Sequence, residues 1–248
     1  MNIPVAAQLY TLRNETEKDF NGTLKKVADI GFEGVEFAGF GGHSASEVKE
    51  MLDELNLKAA SSHVPLDELK NNLDQVIEDQ KTIGSSYVVC PYIEDRSEED
   101  YQTLIEDLKT IGEKVNQEGL TLCYHNHDFE LEKLADGRKA LTALFEETNE
   151  DQLQTEFDIY WLRKAGENPT EWLENYSGRT PLVHLKDMTV DEEKFFAELG
   201  TGGVDIEAVW AKGEEVGVQW WIVEQDESRL TPLESLEISM NYIREKLK

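Results

Sequence analysis

The segment LCYHNHDFE, Leu122 to Glu130, places His125, His127, Asp128 and Glu130 within one short stretch of a chain that holds only five histidines. Imidazole nitrogen and carboxylate oxygen together form a mixed donor set suited to Mn²⁺, Co²⁺, Mg²⁺ or Zn²⁺, and imidazole also moves protons near neutral pH. Comparable residues close other apolar runs: Glu36 in GVEF, His63 after LKAASS, Asp158 in EFD, His184 and Lys186 in VHLKD, and Glu224 in IVEQ. Each alone has an ordinary structural role, Asp158 as a helix N-cap, His184 as a hydrogen-bonded core histidine, Glu224 in an ion pair at the rim. Asp158, His184 and Glu224 at matching ends of three consecutive runs point instead to one divalent cation. His63 and His127 suit hydrogen bonds to hydroxyls or proton shuttling, and Trp161 suits stacking on a sugar face or plain core packing.

These side chains need elements to hold them. Eight strand-like runs begin at Val5, Gly34, Leu57, Tyr87, Leu120, Leu153, Leu182 and Trp220. Helical spacing fills the gaps. Phe20, Leu24, Val27 and Ile30 stop at Gly31; Ser44 and Glu47 stand at capping-box spacing before Val48 and Leu52; a pattern from Leu69 to Ile83 ends at Gly84. Ser97 precedes a long amphipathic pattern, Leu141 to Phe145 a short one, and Asn168-Pro169 and Thr231-Pro232 open two more. Phe195, Phe196 and Leu199 predict a short helix, and Ile206, Val209 and Trp210 another.

Strands alternating with helices predict a parallel sheet, and eight units in 248 residues predict a single (β/α)₈ TIM barrel over residues 1–248. A doubly wound sheet is the alternative, but no GxGxxG follows the first strand. In such a barrel the active site lies at the C-terminal strand ends, so one rim collects His63, His125, His127 and His184, with His43 in the loop after the second strand.

The runs YHNHDFE, EFDIYWLRKAG, VHLKD and IVEQD, together with QLYTLR near the start, resemble the sugar phosphate isomerase/epimerase family. These are the xylose isomerase-like barrels that include sugar 3-epimerases and inosose dehydratase. The resemblance spans the chain. It implies one divalent metal, most often Mn²⁺, held by two glutamates, an aspartate and a histidine, with Asp158, His184 and Glu224 as three of them. Epimerases of the family place the first glutamate at the end of the fifth strand, where this chain has HNH. Either Glu130 folds back into the shell or His125 takes its place; Glu130 is the expectation, leaving His125 and His127 to face substrate. The implied activity is that of an isomerase or epimerase on a small sugar or keto-polyol, with dehydration of an inosose or keto sugar as the alternative. Glu224 or Glu130 would be the base, and Lys186 and His125 would hold the enediolate. A sugar-binding barrel without catalysis and an abasic-site endonuclease are distant alternatives, the latter needing more histidines and a basic face.

Fifty-two acidic against 24 basic residues give a net charge of -28, which repels nucleic acid and anionic membranes. Arg13, Arg163, Lys164 and Lys186 are the obvious cations near strand ends, too few for a phosphate subsite, so an uncharged substrate is expected. MNIPVAAQLYTLRN lacks a signal-peptide pattern, and a cytoplasmic protein is expected, its oligomeric state left open. Cys90 and Cys123 end apolar runs and read as buried free thiols rather than a disulfide.

Overall fold

The computed structural model describes residues 3–248. Eight parallel strands close into a barrel: β1 (Val5–Gln8), β2 (Gly34–Phe37), β3 (Lys58–His63), β4 (Tyr87–Cys90), β5 (Thr121–His125), β6 (Gln154–Asp158), β7 (Leu182–Leu185) and β10 (Trp220–Val223). Each predicted run supplies one of them. Closure comes from β10 pairing with both β1 and β7. Two further strands, β8 (Asp187–Met188) and β9 (Phe196–Ala197), pair antiparallel outside the barrel.

The alternation of side chains along each strand decides where chemistry can sit. Ala6, Ala60, Val89, Cys123, Leu182 and Ile222 form a separate apolar cluster contributed by six different barrel strands. Residues two apart on a strand share a face. The layer above that plug therefore contains Gln8, Ser62, His125, His184 and Glu224, each two residues after a plug residue. Small and medium side chains below leave a dry floor, and polar side chains stand on it. A larger apolar cluster, including Val35, Leu104, Leu108, Phe157 and Trp221, lies between sheet and helices.

The helices start and stop where the sequence supplies caps. Ser44 with Glu47, Ser97 with Asp100 and Thr231 with Glu234 form capping boxes, while Gly31 and Gly84 end their helices in left-handed conformation. The pattern from Leu69 to Ile83 is two helices, Leu66–Asn71 and Leu73–Ile83, broken at Asn72. The helix predicted around Phe195 to Leu199 is instead β9 and a turn. Asp187 explains this: its carboxylate accepts the N–H groups of Met188, Gly200, Gly202 and Val204 at 2.8–3.0 Å, which pins the segment as a loop. Both cysteines are buried and free. Among the described residues no helix is long and apolar enough to cross a membrane.

Helix Glu98–Gln117 packs at Gly112 against the turn before β6, where an added Cβ would lie 1.7 Å from the carbonyl oxygen of Gln152. Alanine gains about 1 kcal/mol of helix propensity over glycine, but that backbone contact cannot yield without moving the helix off the barrel. Gly112→Ala is expected to lower the thermal unfolding midpoint; a midpoint raised by the substitution would show that the helix has room to shift.

Candidate metal centre

Three histidines and four carboxylates meet on the apolar floor. His125 from β5 turns Nδ1 to Glu156 Oε2 at 2.9 Å and Nε2 toward Asp158 Oδ2 at 3.6 Å. His184 from β7 has Nε2 2.6 Å from Glu36 Oε1 and Nδ1 2.8 Å from Glu224 Oε2. His63 from β3 points Nε2 at Glu156 Oε2, 2.7 Å away, and at Glu36 Oε1, 3.2 Å away. Gln8 and Ser61 donate to Glu36 as well.

Lys186 supplies the balancing ammonium. Its Nζ lies 2.9 Å from Asp158 Oδ2, 2.6 Å from Glu224 Oε2 and 2.7 Å from Asp226 Oδ2. Asp187, its neighbour in sequence, is committed instead to backbone N–H groups. Burial alone would lower the Lys186 pKa; Asp158, Asp226 and Glu224 outweigh it and hold the amine firmly protonated. Burial likewise works against ionised Glu224, yet Lys186 and His184 keep its carboxyl well below the usual range. For His63 burial opposes the charged form, while Glu36 and Glu156 raise its pKa to about 10. His127, buried and near Lys186 without a carboxylate partner, is pushed down to about 3.

The donors fit a divalent cation. One donor atom from each of His125, Asp158, His184 and Glu224 lies within 4.8 Å of the other three. Asp158 serves two purposes: Oδ1 caps helix Ile159–Lys164 through the N–H groups of Tyr160 and Trp161, while Oδ2 faces the Lys186 ammonium and His125 Nε2. Buried carboxylates are costly unless cations meet them, and Asp158, Glu224 and Asp226 share the one ammonium of Lys186. His63, His125, Glu156 and His184 form a second quartet within the same 4.8 Å. Its carboxylate, with Glu36, faces the opposite nitrogens of His125 and His184, the arrangement by which carboxylates fix the tautomer and orientation of ligating histidines.

The structure thus brings Asp158, His184 and Glu224 together with His125. Glu130 lies outside both quartets, its carboxylate buried and occupied by the Tyr124 hydroxyl and the His127 N–H, each at 2.8 Å. His63, His127, Lys186 and Glu224 line a cavity of about 550 Å³. Trp161 is not in its wall; its ring packs against His127 at a centroid distance of 5.3 Å. Glu156 was missed in the sequence because only the terminal residue of each run was read. Period two was the available signal, since Glu156 precedes Asp158 by two and shares its face.

Residues 24–246 match the family model described as xylose isomerase-like TIM barrel, and the chain belongs to that family. It is 25% identical over 272 residues to an inosose dehydratase of Clostridium botulinum, a match covering 93% of this chain and 90% of the relative. A sugar phosphate isomerase/epimerase from Parabacteroides distasonis superposes with a TM-score of 0.86 at 22% identity, over 100% of this chain and 95% of the other. The IOLI protein, solved with a binding zinc atom, gives a TM-score of 0.76 at 15% identity, over 97% of each chain.

Glu130 provides a pH test of this arrangement. Burial raises its pKa from 4.5 to about 7 against the opposing hydrogen bonds from His127 and Tyr124. The folded state therefore holds more protons than the unfolded one between those values, and stability falls as pH rises through that window, by about 3 kcal/mol in all. Below the unfolded value the penalty is absent. Glu130→Gln is expected to flatten the stability profile between pH 4.5 and 7, as followed by urea unfolding; an unchanged slope would place Glu130 in a more solvated setting.

Proposed function

We propose that this protein is a metal-dependent sugar isomerase or epimerase that removes the proton beside the carbonyl of an uncharged keto sugar or keto-polyol. The observation that carries the reading is the pairing of an ionised carboxylate, Glu224, with a protonated amine, Lys186, in the wall of a cavity that His125 also lines, with Asp158 and His184 clustered beside them. Proton abstraction beside a carbonyl needs a base and fixed positive charge where negative charge grows on oxygen. A divalent cation held there would supply Lewis-acid polarisation of the carbonyl. Glu224 takes the proton from carbon, and Lys186 donates a hydrogen bond to the oxygen that becomes anionic. His127, neutral and with Nδ1 free of any partner, orients a substrate hydroxyl. Return of a proton to the neighbouring carbon gives the isomer, and protonation of the same carbon on its opposite face gives the epimer, with exchange against solvent through the mouth of the cavity.

His125, Asp158, His184 and Glu224 would hold the ion, giving two nitrogen and two oxygen donors. With Glu130 in place of His125 the set would be three carboxylates and one imidazole, which suits Mn²⁺; with His125 it shifts toward zinc or cobalt. The zinc atom of the IOLI protein supports that shift.

Dehydration is the second reading, supported by the inosose dehydratase name of the relative that is 25% identical. There the carbanion equivalent loses a β-hydroxyl rather than being reprotonated. Incubating the zinc- or cobalt-loaded protein with keto sugars and inososes in D₂O separates the outcomes. Deuterium in recovered substrate or isomer indicates isomerisation or epimerisation, and a product lighter by one water indicates dehydration; neither product nor exchange across the panel would contradict proton abstraction. For the ligand set, His125→Ala is expected to abolish stoichiometric metal binding and Glu130→Gln to retain it. Metal content after dialysis checks this, and the reverse pattern would assign the fourth position to Glu130.

A further inference from the structure

The cavity is two-faced. The reactive groups, His125, His127, Lys186, Glu224 and Asp226, stand on the side built by β5 to β10, whereas Tyr10, Phe40, Val64, Pro65, Pro91 and Tyr92 form the side built by the loops after β1 to β4. No lysine or arginine lines that second side, whose charged residues are His63 and Asp79. Its aromatic residues Tyr10 and Tyr92 are 44% and 45% exposed at the mouth. The whole space, about 550 Å³, falls in the range of roughly 300–1,000 Å³ of small-molecule sites, which leaves room beside a sugar held at the reactive side.

A sugar presents hydroxyls around its ring, and hydroxyls turned against Val64, Pro65 and Pro91 would lose water without gaining partners. A second sugar unit meets the same objection over the Val64, Pro65 and Pro91 surface, and a phosphate finds only His63, already held by Glu36 and Glu156, with the like charge of Asp79 beside it. A flat apolar ring does not, because it can stack on tyrosine faces and bury its edge against valine and proline. Deeper in this wall two polar atoms lack partners: Ser62 Oγ and Gln80 Oε1, on side chains that are 3% and 2% exposed. Gln80 Oε1 can only accept, so it calls for a hydrogen-bond donor from the occupant or from water.

Taking the position of the sugar from the proposed function, we infer that the side of the cavity formed after β1 to β4 is a subsite for an aromatic ring carried on the sugar. The substrate class is then an uncharged keto sugar with an aryl substituent. Ser62 and Gln80 would read a hydroxyl on that ring.

The probes are the phenyl and methyl ethers of one keto-hexose at its terminal hydroxyl, which keep the carbonyl and its neighbouring proton intact, with binding to the metal-loaded protein measured by calorimetry. The phenyl compound is expected to bind at least tenfold more tightly. Val64→Asp, which puts a charge in the wall, and Tyr92→Ala, at an exposed site with little bearing on folding, are each expected to shrink that ratio while leaving the methyl compound's affinity within about twofold. Equal affinity for the two probes, no measurable binding of the phenyl compound, or a ratio untouched by both substitutions would overturn the subsite. Deuterium exchange into the same probes reports the proposed chemistry separately: loss of exchange with the binding ratio intact would refute the chemistry and leave the subsite standing.

Discussion

The constraint on which the structure turns is an excess of negative charge in a place without water. Six acidic side chains, Glu36, Glu130, Glu156, Asp158, Asp187 and Glu224, are buried among the described residues, against one buried lysine and no buried arginine. Two of the six are satisfied locally: Asp187 by four backbone N–H groups, and Glu130 by Tyr124 and the His127 N–H. The other four surround His63, His125, His184 and Lys186. Isolated buried carboxylates are strongly unfavourable, and the Lys186 ammonium with the His63 and His184 imidazoles balances four of them only in part. In the proposed function a divalent cation between His125, Asp158, His184 and Glu224 would supply the remaining charge.

The barrel makes that concentration sustainable. Its strands alternate inward and outward, so one apolar layer of Ala6, Ala60, Val89, Cys123, Leu182 and Ile222 seals the bottom, and the next inward layer is polar without interrupting the core. The histidines then work in two directions. One nitrogen of His125 and of His184 meets Glu156 or Glu36, and the other meets Asp158 or Glu224. The carboxylates behind the rings fix their orientation, while in the proposed function those in front would share the cation and the substrate. Glu224 would then belong both to the ion's shell and to the cavity wall, where Lys186 pairs with it.

Much of this was legible in the sequence because it is periodic. Eight apolar runs became eight strands, capping pairs such as Ser44–Glu47 became helix starts, and Asp158, His184 and Glu224 fell at matching strand ends. What failed were features that depend on the direction of one side chain or on a loop's long-range partner. Glu156 was hidden inside a strand whose last residue drew attention. Glu130 sits in a loop whose backbone turns its carboxylate onto Tyr124, which spacing alone does not reveal. Phe195 to Leu199 has helical spacing, but Asp187, distant in sequence, captures the N–H groups of that loop. The apolar side of the cavity was invisible because Phe40, Val64 and Tyr92 come from three separate loops and only the closed barrel makes them neighbours.

The account's central claim is the location of the cation, and anomalous diffraction at the zinc absorption edge from crystals grown with zinc tests it most directly. The account predicts one anomalous peak in contact with His125, Asp158, His184 and Glu224, with Glu156 and Glu36 bound to the far nitrogens of the two histidines. A peak held by Glu130, or one centred on His63 and Glu156 with Asp158 and Glu224 free, would contradict it.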